Sequence, residues 1–400
     1  TQGVSSAASD VYKRQSQGLT NQLTVEGFYQ LEWDQTVVDN CGTFFGNDVV
    51  ADGCTTGYTV GSPAIAPLQP VAAAFGQGFQ VTREGVILPR GGDRDARDSG
   101  QWGAALRWLG DDTEYGLYFM NYHSRSPVVS TTTANVSAAT LGAIAGVANG
   151  IVPGSGSGLV QSVMLGRGQY YLEYPEDIRL YGASFSTTLP TGTAWTGEIS
   201  YRPNAPVQVN TNDLTLALLN PISGGAASPI KTAMGADNTG YRRKEITQIQ
   251  SSMTQFFDQV LGADRLTLVG EAAVVHVGGL EDKSKLRYGR DSVYGQYGYG
   301  GDTDGFVTAT SWGYRARAIL DYSNVIAGIN FKPNLSWSHD VNGYGPNGLF
   351  NQGAKALSVG VDADYRNTYT ASLSYTDFFG GRYNTLTDRD FLALSFGVNF

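Results

Sequence analysis

Apolar and polar residues alternate with a period of two along most of the chain from residue 23 onward. In the last ten residues, bulky apolar side chains occupy every even position from Leu392 to Phe400, and small or polar side chains lie between them. Because successive side chains of a β-strand point to opposite faces, this pattern predicts strands with one apolar face. We predict twelve such strands, at residues 23–33, 101–109, 114–122, 178–189, 193–202, 245–257, 264–277, 312–322, 326–339, 355–366, 369–379 and 390–400.

The lengths and faces of these segments favour strands that cross a membrane. A membrane-crossing β-strand needs about 9–11 residues, whereas strands of soluble sandwiches are mostly about five or six residues long. In the segment 355–366, Leu357 and Val359 share one face, and Ser358 and Asp362 lie on the other. Lipid outside and a polar lumen inside produce this division, because a charge on the lipid face costs about 2–4 kcal/mol at the bilayer midplane. No apolar run reaches the roughly 18 residues that a transmembrane helix needs.

The predicted connections alternate between short and long. The short connection at 110–113, for example, lies between the long ones at 34–100 and 123–177. This asymmetry is typical of the periplasmic turns and extracellular loops of outer-membrane barrels. We therefore predict an all-β fold, a transmembrane antiparallel up-and-down β-barrel with about 12 visible strands in a natural barrel of roughly 12–16. Short helical pieces are expected in the long extracellular loops, at 137–152 and 213–219.

The two ends of the sequence carry different information. Residues 1–15 resemble a peptide translated from sequencing-adapter DNA, so we predict that they are not native. The barrel would then occupy residues 16–400 and be truncated at its N-terminus. The alternation of Phe396, Val398 and Phe400 resembles the signal that the barrel-insertion machinery of the bacterial outer membrane recognises. This predicts an outer-membrane location, with outer-membrane lipid, lipopolysaccharide and the insertion machinery as partners.

Charge and residue types argue against several classes of function. A net charge of −9 disfavours nucleic acid, which needs a basic surface. Cys41 and Cys54 lie close together in one Gly/Asp-rich segment, which favours a loop disulfide formed in an oxidising compartment, with two free thiols as the alternative. The histidines lie far from both cysteines, and catalytic motifs such as Gly-x-Ser-x-Gly are absent. His339–Asp340 has no identified nucleophile, so we predict no enzymatic activity, no metal and no cofactor.

The densest polar cluster precedes the strand predicted at 101–109. It holds charges of both signs: Arg90, Asp93, Arg94, Asp95, Arg97 and Asp98. In a structural interpretation, these side chains form ion pairs that tie a folded-in loop to charges of the lumen. In a functional interpretation, they form a constriction that selects solutes by charge, as the charged rings of pores do. The lumen charges predicted from the strands are Arg107, Glu198, Arg202, Glu271, Arg315 and Arg317, and the facing long loop offers Glu173, Glu176, Asp177 and Arg179.

The long loops are unusually apolar for extracellular segments. The candidate residues are Ile65, Leu68, Phe75, Phe79, Leu141 and Ile144. Apolar segments outside a membrane must be buried against something, either each other, lipopolysaccharide or a ligand. Two interpretations therefore stay open: the loops pack together as a cap over the barrel, or they form a site that captures a hydrophobic ligand.

Several motifs together resemble one protein family. They are VILPRGGDRDARDSGQWG at 86–103, EYGLYFMNYHSR at 114–125, YPEDIRLYGASF at 174–185, GEISYRP at 197–203, LRYGRD at 286–291, CGTFF at 41–45 and DGC at 52–54. They resemble the domain-of-unknown-function 1302 family of Gram-negative outer-membrane proteins over most of residues 23–400. The resemblance implies a barrel associated with moving hydrophobic or lipid-like molecules, often alongside an inner-membrane permease.

Two functional hypotheses follow from the pattern and the resemblance. The first is a passive, porin-like outer-membrane channel for hydrophobic or amphipathic small molecules, with loops that cap a charged lumen. The second is a closed structural or partner-binding barrel, the outer-membrane component of a lipid-export system that works with periplasmic or inner-membrane transport components. A conducting aqueous pore would contradict the first hypothesis.

Overall fold

The computed structural model describes residues 12–46, 49–54, 57–61, 68–70, 72 and 78–399. The described strands, in chain order, are β1 (Tyr12–Gly18), β2 (Leu23–Gln30), β3 (Thr59–Val60), β4 (Gln80–Val81), β5 (Val86–Ile87), β6 (Gln101–Leu109), β7 (Thr113–Tyr122), β8 (Val128–Thr132), β9 (Gln169–Glu173), β10 (Ile178–Thr188), β11 (Ala194–Gln208), β12 (Asp237–Asn238), β13 (Tyr241–Asp258), β14 (Arg265–Gly278), β15 (Thr310–Ile326), β16 (Ile329–Asn342), β17 (Lys355–Tyr365), β18 (Tyr369–Phe379) and β19 (Phe391–Val398). The helices are α1 (Ala138–Ile151), α2 (Gly156–Arg167), α3 (Thr211–Ala217) and α4 (Asn220–Ser223). In the described part of the chain, no helix combines the length and the apolar character needed to cross a membrane.

One large antiparallel sheet dominates the fold. Its thirteen strands follow chain order, β1-β2-β6-β7-β10-β11-β13-β14-β15-β16-β17-β18-β19, and each pairs with the strand before it. All twelve predicted strands are present, and β1 is added to them at the edge. The remaining strands form two small sheets, β12-β8-β9 and β3-β5-β4, within the long loops. The strand count of about twelve was therefore too low, because the apolar loops make ladders of their own.

Short turns lie at one end of the large sheet and long loops at the other, as the sequence predicts. The tightest turn joins β15 to β16, where Ile326 pairs with Ile329 and only Ala327 and Gly328 lie between them. Both have positive φ angles, 53° and 86°. Hairpins of this kind need left-handed backbone at both turn residues, because that twist matches the twist of the strands.

The register of the large sheet separates its side chains into two faces. On the apolar face, Leu117, Ile249 and Val359 are each more than half exposed. On the polar face, Glu271 lies opposite Arg315, and Glu198 lies opposite Gln250. Because side chains alternate between the faces with a period of two, polar residues of one strand lie beside polar residues of the next. A shift of one residue in the register between two strands would exchange their faces.

The large sheet is not closed into a barrel among the described residues, so the structure shows the antiparallel sheet of the predicted barrel without its closure. Its edge strands, β1 and β19, are not paired with each other there. In an antiparallel sheet of thirteen strands, the first and last strands run in the same direction. Closure of an up-and-down barrel in the usual way needs an even number of strands, so these two edges do not complete the antiparallel pattern.

The first long loop reaches one of these edges. The loop after β2 carries Phe45, whose ring centroid lies 5.7 Å from that of Phe391 at the start of β19. Arg389 donates a hydrogen bond to the carbonyl oxygen of Phe44, and its guanidinium lies 5.2 Å from the ring of that residue. The first long loop, which follows β2, therefore extends as far as β19.

The long loops pack into a cap, which we define as the described residues of 31–100, 123–177, 209–240, 279–309, 343–354 and 380–390. Helix α1 begins after Ser137, whose side chain accepts a hydrogen bond from the backbone of Thr140, and it occupies the predicted helical segment. Helix α3 lies near the second predicted piece. Leu159 and Met164 of α2 are fully buried, so the cap has a core of its own.

The predicted disulfide is present. Cys41 and Cys54 are bonded within the first long loop. Cys54 is almost fully buried, and the hydroxyl of Tyr170 donates to its carbonyl oxygen at 3.0 Å. The bond therefore connects the segment that reaches β19 with the interior of the cap.

Removing the disulfide should release this segment. A Cys41→Ser, Cys54→Ser variant is expected to lose about 3 kcal/mol of local stability, because a cross-link closing a loop of about 15 residues removes that much unfolded-state entropy. The measurement is the rate of protease cleavage within residues 42–53 of the full chain without reductant. Wild-type protein treated with reductant is the control and should behave like the variant. Equal cleavage of the variant and the oxidised wild type would contradict the prediction.

Candidate functional site

The charged segment at residues 90–98 lies inside the cap, beside strand β9. Arg90 forms a parallel bridge with Tyr170, and Arg94 forms one with Glu173. The guanidinium of Arg90 lies 2.6 Å from the carboxylate of Asp93 and also donates to the carbonyl oxygen of Ala51. The segment is therefore held as an extra, irregular strand along β9.

Arg94 joins three long loops. Its guanidinium lies 2.6 Å from the carboxylate of Asp237 and 4.0 Å from the ring centroid of Tyr171. Asp237 also accepts a hydrogen bond from the hydroxyl of Thr132 at 2.6 Å. The hydrogen bond from Thr132 and that from Arg94 hold the pKa of Asp237 below its usual range. Burial raises the pKa of Tyr171 to about 12, so its ring stays neutral beneath the cation.

Arg97 binds two consecutive carboxylates at the start of β10. It donates to Glu176 and lies 2.6 Å from Asp177. Asp177 adopts a positive φ of 55° and also accepts from the side chain of Asn121 at 3.0 Å. The hydrogen bond from Arg97 lowers the pKa of Asp177, which stays ionised. His123 supports the same turn, since its Nδ1 accepts from the backbone N–H of Asp177 at 3.0 Å.

The acidic members of the segment play different parts. Asp93 accepts from the backbone N–H of Leu172 at 3.2 Å, and Asp98 accepts from the backbone N–H of Trp33 at 2.9 Å. Asp95 is exposed and lies near Tyr174, whose pKa burial raises to about 12. The segment therefore pairs with its own residues and with other loops. The expectation that it pairs with Arg107, Glu198, Arg202 or Glu271 of the lumen was wrong, because the segment lies along β9 in the cap.

The predicted lumen charges all lie on the polar face of the large sheet, where the register brings some of them together. Glu26 lies between two arginines, 2.8 Å from Arg14 and 3.8 Å from Arg107. Arg315 pairs with Asp340 at 2.7 Å. The other predicted lumen charges on this face are Glu198, Arg202, Glu271 and Arg317. Of the facing-loop candidates, Glu176 and Asp177 bind the charged segment through Arg97; no such contact is described for Arg179, whose backbone N–H donates to Asn204 at 3.0 Å.

Four apolar loop candidates lie in the core of the cap. Leu68 packs with Ala148 of α1 and Leu159 of α2, and Leu141 packs with Val163 and Met164 of α2. Phe79 and Ile144 contact both groups. The other two candidates, Ile65 and Phe75, lie outside the described residues. The packing of loop against loop supports the interpretation of the apolar segments as a cap.

The cap also holds a cavity that the sequence analysis did not predict. This cap cavity has a volume of about 740 Å³ and lies between four long loops. Tyr58 comes from the first loop, Leu165 from the second, Leu216 from the third and Val293 from the fourth. Burial raises the pKa of Tyr58, whose hydroxyl is hydrogen-bonded to Thr215. No charged side chain lines the cavity among the described residues, so it suits an uncharged or apolar group.

A buried ion pair lies beside the cap cavity, at helix α3. Arg287 donates two hydrogen bonds to Asp213, at 2.8 and 2.5 Å, and Asp213 is only 1% exposed. The guanidinium also lies 4.5 Å from the ring centroid of Tyr297. Asp213 and Arg287 belong to different long loops, and their pairing was not predicted. The ion pair fixes α3 to the loop that follows β14.

His339 and Asp340 are adjacent in the sequence and have different surroundings. His339 lies on the apolar face beside the ring of Tyr314, while Asp340 lies on the polar face with Arg315. The two side chains therefore point to opposite sides of β16 and do not form an acid–base pair. Within the residues that the structure describes, no three His, Cys, Asp or Glu side chains meet in a way that could hold a metal ion.

Breaking the buried pair should loosen the cap. An Asp213→Asn variant is expected to lose about 3–5 kcal/mol of local stability, because it leaves the buried charge of Arg287 without its partner. The measurement is hydrogen exchange of the amides in residues 209–240 of the full chain. Asp237→Asn is the matched control: its ion pair is about half exposed, so its loss should cost at most about 1 kcal/mol. Equal exchange in the two variants would contradict the buried pair's role.

The chain is similar to several solved structures, at low sequence identity. A mutant of the ferric enterobactin receptor of Pseudomonas aeruginosa is 12% identical, with a TM-score of 0.36 over 91% of this chain and 41% of that chain. A FadL homologue of the same organism is 11% identical, with a TM-score of 0.33 over 92% and 69%. The siderophore receptor PirA of Acinetobacter baumannii is 9% identical, with a TM-score of 0.34 over 96% and 53%. The chain thus spans less than half the length of the enterobactin receptor. No curated protein matches it.

The family comparison covers nearly the whole sequence. The sequence profile described as "Protein of unknown function (DUF1302)" matches residues 14–400. The match includes the charged segment, the cysteine pair and every strand of the large sheet except the first two residues of β1. It confirms the resemblance found in the motifs. The chain belongs to the DUF1302 family of proteins of unknown function.

Proposed function

We propose that this protein is an outer-membrane channel that passively moves hydrophobic or amphipathic small molecules. One observation carries the proposal: the apolar face of the large sheet is uncovered across its strands. Leu117, Ile249, Val359 and Leu373 all project large side chains that are exposed. In water such a continuous apolar face would be covered by another layer, whereas lipid is its natural solvent.

A closed barrel is the arrangement that this proposal requires in a membrane. Unpaired strand edges are not tolerated in the hydrocarbon layer, because their backbone groups find no hydrogen-bond partners there. The first long loop reaches the edge strand β19, since the ring centroids of Phe45 and Phe391 lie 5.7 Å apart. We propose that the alternation ending in Phe396 and Val398, both exposed on the apolar face, is recognised by the insertion machinery. Phe400, the third residue of that signal, lies outside the described residues.

The cap cavity supports a hydrophobic cargo. Its lining comes from several loops, is uncharged and includes Val60, Leu165 and Leu216. Its volume of about 740 Å³ lies within the range of about 300–1,000 Å³ that small-molecule sites usually have. We propose that cargo is captured in this cavity before it passes into the polar interior of the barrel.

A closed, partner-binding barrel is the second candidate, and the charged segment favours it. Arg90, Arg94 and Arg97 fasten the cap to itself at several points, which suits a barrel without an open path. Such a protein would act as the outer-membrane component of a lipid-export system, with periplasmic or inner-membrane partners.

Binding of an uncharged lipophile distinguishes the two candidates. Five of the six tryptophans lie on the apolar face, and Trp33 is buried in the cap. We expect dodecanol to change the tryptophan fluorescence of the full chain, with a smaller change in a Trp33→Phe variant. We also expect planar bilayers to show little ion conductance. Steady conductance on the porin scale would contradict the hydrophobic channel, and silence in both measurements would favour the partner-binding barrel.

A cavity-filling variant ties the fluorescence change to the cap. Leu216→Phe adds volume inside the cap cavity and should weaken the response to dodecanol several-fold. Val37→Phe is the matched control, because Val37 is 93% exposed on a cap loop and lines no part of the cavity. An equal response from both variants would show that dodecanol binds elsewhere.

A charge placed on either face tests the membrane-spanning arrangement. Leu373→Arg puts a cation on the apolar face and should destabilise folding into lipid bilayers by about 2–4 kcal/mol. Ser374→Arg, the next residue of the same strand, puts it on the polar face and should cost far less. The measurement is urea unfolding of the full chain from vesicles. Equal effects of the two substitutions would contradict a lipid-facing apolar surface.

A further inference from the structure

A second cavity lies where the large sheet meets the cap, and it differs in character from the cap cavity. This rim cavity has a volume of about 500 Å³. Its walls are the cap-side ends of β2, β6, β7, β10, β11 and β13 on the polar face, together with the loop segments 123–126 and 346–349. It therefore lies between the cap and the interior of the proposed barrel.

The rim cavity is positively charged in a protein whose net charge is −9. Arg125 and Arg202 line it, and no Asp or Glu does so among the described residues. Elsewhere on the polar face, Arg14 has a carboxylate partner in Glu26, and Arg315 has one in Asp340. The side chain of Arg202 instead donates to the neutral side chain of Gln248 at 3.2 Å. A cation without a counter-charge beside a cavity favours an anionic ligand.

Two buried hydrogen-bond donors at the rim cavity have no partner in the described part of the chain. One is Nε of Arg202, and the other is Nε2 of Gln101, a residue that is only 2% exposed. Gln101 is oriented by its own oxygen, which accepts from the backbone N–H of His123 at 3.2 Å. A buried donor left without a partner costs about 1–3 kcal/mol, so both are expected to meet an acceptor.

The chain places Arg202 at the cavity by means of a β-bulge. The register between β11 and β13 shifts between Arg202 and Ala205. Pro203 has no backbone N–H to continue the ladder, and Asn204 turns away to bond with the backbone of Asp177 at 2.7 Å. The bulge ends the regular ladder at Arg202 and turns the chain toward the cap.

Apolar side chains form another part of the lining, beside polar ones such as Tyr122 and Ser126. Ile178, Ala205 and Ile246 are each 2–3% exposed and face the same cavity. A ligand that fills it would therefore need both an acceptor group for the two donors and a hydrocarbon part. A small inorganic anion would satisfy the donors and leave the apolar wall uncovered.

We infer that the rim cavity binds the head group of an amphipathic carboxylate, with Arg202 and Gln101 as donors and with Ile178 and Ile246 against the start of its hydrocarbon chain. This inference rests on the proposed function and names the chemical class of one cargo. The carboxylate accepts a hydrogen bond from Nε of Arg202. It also supplies the negative charge that no Asp or Glu of the described lining supplies. Gln101 donates from the wall formed by β6.

Three probes distinguish the contribution of the head group to binding from that of the hydrocarbon tail. The full chain in phosphatidylcholine nanodiscs is titrated by calorimetry with dodecanoate, with dodecanol and with acetate, and empty nanodiscs supply the baseline. Dodecanoate should bind at least about tenfold more tightly than dodecanol, since a hydrogen bond to a charged group contributes about 1.5–3 kcal/mol. Acetate should bind far more weakly than dodecanoate, because it lacks the hydrocarbon part. Acetate binding as tightly as dodecanoate would overturn the inference in favour of a simple anion site.

Two variants test the named donors. Arg202→Met keeps the length of the side chain and removes its charge, and it should weaken dodecanoate about tenfold or more while leaving dodecanol unchanged. Gln101→Glu keeps the acceptor for His123 and replaces the free donor by a carboxylate oxygen, so it should also weaken dodecanoate. Arg317→Met is the matched control, on the same face but outside the rim cavity, and should bind as the wild type does. Circular dichroism checks that each variant retains its strands.

The outcomes separate this inference from the proposed function. Dodecanoate and dodecanol binding equally well, with neither affected by Arg202→Met or Gln101→Glu, would overturn the carboxylate site and leave a hydrophobic channel standing. Dodecanol binding without any dodecanoate binding would do the same. If neither dodecanoate nor dodecanol binds, the inference is overturned. If dodecanol also leaves the tryptophan fluorescence unchanged, the result counts against the hydrophobic channel as well.

Discussion

The division of the large sheet into two faces is the constraint on which the rest of the structure depends. The backbone N–H and C=O groups form hydrogen bonds between neighbouring strands, so the two faces of the sheet contact their surroundings through side chains. Side chains along a strand alternate between the two faces. The register that places Glu271 opposite Arg315 on the polar face therefore also exposes Val274 on the apolar face of the same strand. Short turns at one end hold this register through thirteen strands, and they leave all the long connections to gather at the other end.

The cap is stabilised mainly by its apolar cores. A fully buried Leu or Met contributes about 1.5–3 kcal/mol, whereas a half-exposed ion pair contributes at most about 1 kcal/mol. Leu159 and Met164 belong to the first kind, and the pair of Arg94 with Asp237 belongs to the second. The arginines of the charged segment therefore fix how the loops align more than they hold the loops together. The buried pair of Asp213 with Arg287 is different, because neither group can lose its partner without leaving a charge in the core.

The sequence predicts features that are local and periodic, and it misses features that depend on distant contacts. The twelve strands follow from alternation, and α1 from an apolar stripe after Ser137. Helix α2 was missed because Gly156, Gly158 and Gly166 lower its intrinsic helix propensity. Its glycines serve packing instead, since a Cβ at Gly166 would lie 2.4 Å from Cβ of Phe79. Contact with the rest of the cap decides the conformation there.

The same distinction applies to the candidate sites. Glu176 and Asp177 were predicted as facing-loop partners of the charged segment, because opposite charges in two adjacent loops are visible in the sequence. Asp213 and Arg287 are 74 positions apart, and their pairing becomes visible only when the loops are folded. Both cavities are likewise products of assembly, since each is lined by residues from several loops or strands.

The long strands β11 and β13 connect the sheet to the cap and limit how the two can move. Beyond the bulge, β11 carries Val207 into a core that also contains Val275 and Tyr288. All three side chains are at most 2% exposed, so lifting the cap from this end would bring them into water. Burial of such side chains contributes about 1.5–3 kcal/mol each, which disfavours a cap that opens as a rigid lid. For the cargo that we propose, the lower-energy route would lead through local openings between the loops, past side chains that exposed ion pairs hold only weakly.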